Sequence, residues 1–135
     1  MLQHTLNTPT APKRVVVLGG SGFVGARLVA RLREQGVETV PVSSQDVDLT
    51  SPAAVTTLGG IVRKDDAVVF ASCLTPEKGG DLRTFMKNLT MAEHVGAFVE
   101  THTCAHVVYI GSDAIFKDDV PLVTEHSEQQ PSALY

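Results

Sequence analysis

The chain has 135 residues, with 15 acidic against 11 basic side chains for a net charge of −4, and is 43% hydrophobic and 19% charged. That composition excludes a disordered or fibrous chain and describes one globular domain, with about two-thirds of its unfolded surface available to a core and no room for a second full domain. The mild acidity and the lack of a basic stripe argue against nucleic acid as a partner, and apolar runs such as residues 67–71 and 107–110 are far too short to span a membrane.

Residues 1–13 (MLQHTLNTPTAPK) read as a flexible polar arm, without the basic start and apolar stretch of a secretory signal. The domain proper is expected over residues 14–135. Residues 14–18 (RVVVL) are a β-branched run ending at a glycine cluster, the pattern of a buried parallel strand. Over residues 22–35 the period changes. Val24, Leu28, Val29 and Leu32 share one helical face, and Gly36 provides a C-terminal stop. Residues 38–42 (ETVPV) predict a second strand, which Pro41 either weakens or places near an edge. Residues 46–50 (DVDLT) predict a short third strand.

Ser51-Pro52 predicts a helix start, with serine as N-cap and proline in the first turn, running to about Arg63. Residues 66–71 (DAVVFA) are another buried strand, followed by a loop with a proline and two glycines. A long helix is predicted from about Asp81 to Thr101, with Leu82, Phe85, Leu89, Ala92, Val95 and Val99 as its apolar stripe. Residues 105–110 (AHVVYI) predict the last strand, and residues 111–135 are polar and loop-rich. Alternating strands and helices imply an α/β fold: a doubly wound, Rossmann-type parallel sheet of about five strands with right-handed crossovers and helices on both faces.

The sharpest chemical signal is Gly19-Gly20-Ser21-Gly22-Phe23-Val24-Gly25. Its glycines fit GxxGxxG between a strand and a helix, the context a dinucleotide loop requires. Gly19 permits the tight turn, Gly22 lets a pyrophosphate approach the backbone, and Gly25 lets the helix pack closely. A P-loop fits less well, because Ala26-Arg27 stand where Lys-Ser/Thr would be needed.

The run VVVLGGSGFVGARLVARL resembles the first strand, loop and helix of the extended short-chain dehydrogenase/reductase family, the NAD-dependent epimerase/dehydratase group. The resemblance covers residues 14–135. It implies cofactor contacts from Gly19, Ser21, Gly22, Phe23, Val24 and Gly25. Asp48 and Leu49, in Asp48-Leu49-Thr50, look like the element whose acid contacts adenine. Phe70, Ala71 and Ser72 sit where the fourth strand of the family passes under the cofactor, and Asn88 looks like the family's helix asparagine. Ser43 and Ser44 stand at the end of the second strand, where an acid would favour NAD and basic residues NADP. The absent acid points towards NADP or dual use, with Ser43 as the cofactor contact, and Arg27 is read as a solvated helix residue.

After the last strand, Ser112-Asp113, Pro121, Thr124-Glu125 and residues 131–135 (PSALY) are most similar to the dehydrorhamnose reductase branch. Ser112 falls on the catalytic serine/threonine position and Tyr135 on the tyrosine of YxxxK. Such a tyrosine exchanges a proton with the sugar oxygen during hydride transfer, and a nearby lysine ammonium lowers its pKa towards working pH. The sequence stops at Tyr135, so the lysine four residues on is absent. The expectation is therefore a partial enzyme, lacking the later strands and the sugar-binding portion and inactive alone. Its parent is expected to act on a nucleotide sugar, and a homodimer of that parent is expected through the long helix. The alternative is a non-catalytic NAD(P)-binding sensor.

Cys73 and Cys104 are too few for a disulfide scaffold and form no CxxC, which fits a reducing cytoplasm. His102, Cys104 and His106 alternate along the chain but lack a fourth ligand, so no metal site is expected.

Overall fold

The computed structural model describes residues 10–75, 78–117 and 122–130. Strands β1 (Arg14–Leu18), β2 (Glu38–Val42), β3 (Ala67–Phe70) and β4 (His106–Tyr109) form a parallel sheet in the order β2-β1-β3-β4. The inner strands β1 and β3 are buried along their whole length, as covering on both faces demands.

Side-chain alternation divides that core in two. Val15, Val17, Ala67 and Val69 pack beneath helix α1 (Phe23–Glu34) through Val29. Val16, Leu18, Val68 and Phe70 face the opposite way, towards helices α2 (Ala54–Ile61) and α3 (Leu82–Thr101), meeting Leu58, Val95 and Phe98. The helix face switches after β2 because the chain reverses its direction of travel across the sheet while its crossovers keep one hand. β2 and β4 are the edge strands, and Pro41 sits in β2, paired with Val17.

Three local expectations are corrected. The described residues hold four strands rather than about five, because DVDLT forms turns. Asp46 Oδ2 accepts from Ser43 N at 2.8 Å, and Asp48 Oδ1 accepts from Thr50 N at 2.9 Å and Thr50 Oγ1 at 2.7 Å. These side-chain bonds claim backbone donors that a strand ladder would need.

The second helix is shorter than expected at both ends. Ser51-Pro52 belongs to a preceding turn, with Ser51 Oγ accepting from Ala53 N at 3.3 Å. At the other end Val62 is extended, and Arg63 N donates to Asp66 Oδ2 at 2.7 Å.

The stripe that α3 buries is Thr84, Met91, Val95 and Phe98, whereas Leu82 and Leu89 are exposed. Val95 is buried as expected, but apolar residues stand on more than one face of this helix, so periodicity alone does not fix which face is covered. At its C-terminus His102 stacks on Phe98, with ring centroids 4.9 Å apart, and so belongs to the packing. Of the N-terminal arm, residues 10–13 are exposed and irregular.

Asp81 caps α3, accepting at Oδ1 from Thr84 N at 2.9 Å and Thr84 Oγ1 at 2.7 Å. The Thr84 hydroxyl first, and its amide second, hold this carboxyl below its ordinary value of 3.8. A depressed carboxylate stabilises the folded state above its unfolded pKa, and that contribution is lost as pH falls through the folded value. The melting-temperature gap between the parent and Asp81→Ala is therefore expected to be full near neutrality and to close in acid. A gap unchanged from about pH 6 to about pH 2 would contradict capping by the ionised group.

Candidate functional site

A cavity of about 480 Å³ opens at the C-terminal ends of β1 and β3. This is where strand order reverses, since β1 is followed by a crossover to β2 on one side while β3 lies on the other. Parallel sheets bind ligands at such a switch point because the flanking loops diverge there.

The glycine loop forms one wall. Gly19 has φ +86°, a left-handed conformation that favours glycine, and its amide donates to Val42 O at 2.8 Å, tying the loop to the end of β2. A side chain on Gly25 would run into the Gly19 carbonyl, so the third glycine brings α1 against the loop itself as much as against the sheet. Gly20 plays a part that the spacing does not reveal: a Cβ there would meet Pro41 Cβ at 2.6 Å. Helix α1 begins after Gly22 with no side-chain cap and no acidic residue in its first turn. Its initial amides and positive dipole end are therefore open to an anion.

Of the residues singled out in the sequence, Gly19, Ser21, Gly22, Ser43, Asp48, Leu49, Ala71 and Ser72 line the cavity. Phe70 is buried beneath it, and Gly25 is buried behind the loop. Phe23 and Val24 point to solvent, 86% and 50% exposed. Asn88 is not in the cavity lining and clamps Leu74, with Leu74 N donating to Oδ1 at 2.8 Å and Nδ2 donating to Leu74 O at 3.0 Å. Ser112 is exposed beyond β4, outside the cavity lining, with its Oγ accepting from Ala114 N at 3.1 Å. Tyr135, Pro121 and residues 131–134 lie outside the described residues.

Lys78, Lys87 and Met91 also line the cavity and were not anticipated. Lys87 and Met91 are four apart and flank Asn88 on α3, so the asparagine's helical neighbours were the available signal. One turn beyond Met91, His94 Nδ1 lies 2.8 Å from Leu49 O and donates to it, fixing the loop that carries Asp48. The Asp48 carboxyl is held below its ordinary value by the Thr50 hydroxyl, then the Thr50 amide, with smaller contributions from Lys87 and His94.

Cys104, just before β4 and half-buried against the α2–α3 side of the core, has its thiol pushed up by burial and by the nearby Asp66 charge. Among the described residues, no three His, Cys, Asp or Glu side chains gather as a metal centre, and no helix is long and apolar enough to cross a membrane.

The sequence matches the model of the NAD dependent epimerase/dehydratase family over residues 15–135. It is 26% identical over 110 residues to a dTDP-4-dehydrorhamnose reductase of Mycobacterium tuberculosis, covering 79% of this chain and 35% of that protein. It is 29% identical over 138 residues to a dTDP-6-deoxy-L-talose 4-dehydrogenase (NAD(P)(+)) of Kitasatospora kifunensis, covering 92% of this chain and 42% of that protein. The crystal structure of a dTDP-4-dehydrorhamnose reductase from Clostridium acetobutylicum superposes with a TM-score of 0.74 at 24% identity, over 90% of this chain and 44% of that one, a likeness of fold. The chain thus spans less than half the length of these relatives.

Proposed function

Because the chain belongs to the NAD dependent epimerase/dehydratase family, we propose that its cavity holds the adenosine diphosphate half of NAD or NADP, and that the protein works in nucleotide-sugar epimerisation, dehydration or reduction. The observation that carries this reading is the glycine cradle at the switch point. A left-handed Gly19, a Gly22 facing the cavity and an uncapped α1 together leave backbone donors and no obstructing Cβ where a pyrophosphate would lie.

Within this reading Asp48 and Leu49 meet the adenine, held by His94, while Ala71 and Ser72 floor the site. A nicotinamide held there would supply or accept hydride at the sugar carbon. The Ser112 hydroxyl orients the reacting oxygen, and the Tyr135 phenol gives or takes its proton when a lysine ammonium lies beside it. The resemblance also supports a cytoplasmic setting and a homodimer built on the exposed Leu82, Met86 and Leu89 of α3.

The test is a fluorescence titration of the purified chain with NADH and with NADPH. Saturable binding of at least one is expected, and no binding of either at about millimolar concentration, some 4 kcal/mol of affinity, would overturn the cofactor reading.

A further inference from the structure

The cavity is joined to α3 by a hydrogen bond whose strength depends on a proton. His94 is half-buried, and its Nδ1 lies 2.8 Å from Leu49 O. A carbonyl can only accept, so Nδ1 carries the hydrogen and Nε2 is the nitrogen left to take up a proton. Leu49 lines the cavity together with its neighbours Asp48 and Thr50. Leu49 is also packed in the core with Met91 and Val95, so the bond from His94 fixes the middle of that wall from behind.

Asp48 is the charge that faces this imidazole. On α3 the positions one turn away in either direction are Thr90, Met91, Ala97 and Phe98, none of them charged. Glu93, next in sequence, is exposed, and Lys87 lies about two turns earlier. Helix α2 (AVTTLGGI) has no titratable side chain, and the strands beneath present Val16, Leu18, Val68 and Phe70. From the turns that follow β2, the Asp48 carboxylate feels the His94 charge, while Asp46 is engaged with the amide and hydroxyl of Ser43. Asp48 is itself held in place by the Thr50 amide and hydroxyl, both donating to Oδ1.

Protonation at Nε2 acts in one direction on each of these contacts. The bond to Leu49 O becomes charge-assisted and stronger. The imidazolium attracts the fixed Asp48 carboxylate and tightens the turn between them. In the proposed complex it also adds positive charge beside a cavity that holds an anionic pyrophosphate. By reciprocity, a bound dinucleotide eases protonation of His94 by the same factor by which protonation tightens binding.

We propose that His94 is a proton-sensitive positioning residue, which strengthens dinucleotide binding at the Asp48–Thr50 wall when it becomes charged. The inference rests on the dinucleotide reading of the cavity and adds a proton-linked control to it.

The experiment is calorimetric titration of the 135-residue chain with NAD and with ADP-ribose from about pH 8 to about pH 5.5, the span in which histidine changes charge. Neither ligand changes its own charge there. The parent is expected to bind both about threefold or more tightly at the acid end. His94→Gln, which keeps a donor for Leu49 O but cannot titrate, is expected to give a flat profile, and His94→Leu, which has no donor, to bind weakest at every pH. Should either variant fold poorly, the parent's imidazole signals followed by NMR give a second reading, in which ADP-ribose is expected to move the His94 titration to higher pH. A parent profile that is flat, or that tightens towards alkali, would overturn the proposal and leave the dinucleotide reading intact. An equal slope in His94→Gln, or a His94 titration unmoved by ADP-ribose, would overturn the role of His94. Failure of both ligands to bind at any pH would overturn the dinucleotide reading and this inference with it.

Discussion

Replacing Gly25 with alanine is expected to abolish dinucleotide binding and to lower the melting temperature substantially. The added methyl would overlap the Gly19 carbonyl oxygen and press on Gly20 Cα at 3.0 Å, so the obstruction is backbone and no rotamer relieves it. Overpacking of this kind costs about 1–3 kcal/mol where side chains can shift, and more where a turn must open. Opening that turn would break the Gly19 N to Val42 O bond of 2.8 Å and the Gly22 N to Gly19 O bond of 2.9 Å, which shape the proposed phosphate wall. Gly96→Ala is the control. It lies mid-helix in α3 with nothing within 4 Å of a new Cβ, so it is expected to gain about 0.5–1 kcal/mol by helix propensity. Thermal unfolding and NADH titration of both variants check the contrast. A Gly25→Ala protein that melts and binds like the parent would contradict the close approach of loop and helix.

Removing the Asp66 carboxylate should have a comparable effect on stability alone. Asp66 is fully buried. Its Oδ2 accepts from Arg14 Nη1 at 3.0 Å and from Arg63 N at 2.7 Å. Arg14 is itself only 8% exposed, donates from Nη2 to Ile61 O at 3.1 Å, and pairs through Nε with Glu38 at 3.4 Å in a geometry too poor for a hydrogen bond. Asp66→Ala would leave a buried guanidinium without its main counter-charge and one backbone amide without an acceptor, a loss of about 3–5 kcal/mol. Arg14→Met with Asp66→Leu, which removes both charges, is expected to recover much of that loss, because an ion pair's desolvation cost is then never incurred. Chemical denaturation of the single and double variants measures the difference. A single variant within about 1 kcal/mol of the parent would show that the pair contributes little, as surface pairs do.

The legible parts of this molecule were those governed by short-range rules. RVVVL, ETVPV and the helix after the glycine loop fall where their periods place them, because inner parallel strands and an amphipathic helix leave a direct mark on composition. Pro41 marked an edge strand correctly, since a residue without an amide hydrogen cannot serve within a ladder on both sides. DVDLT misled because alternation suggests a strand, while the same aspartates fold back onto their own backbone, a competition that hydrophobic period does not register.

In the cavity, Gly19, Gly22, Asp48 and Ser72 were foreseeable, being tied to a loop or a strand end. Lys87 and Met91 were not, nor was His94 behind Leu49, because their relevance depends on which side of α3 turns inward, and that is set by packing against β1, β3 and α2. Asn88, which the resemblance offers as a cofactor contact, bonds the Leu74 backbone. Met91 is buried and Leu89 exposed because two positions along a helix stand about 200° apart, on opposite sides.

Pro41 has one more consequence. Val42 O accepts from Gly19 N on the β1 side, and Pro41 pairs with Val17 one position earlier, so strand alternation turns the proline's missing amide towards the outer margin of the sheet. That margin lacks a donor at the fourth residue of a five-residue strand. The opposite margin, at His106–Tyr109, has no proline and presents exposed Val108 and Tyr109. The sheet is therefore asymmetric as a template: growth by a further strand is discouraged beside β2 and open beside β4.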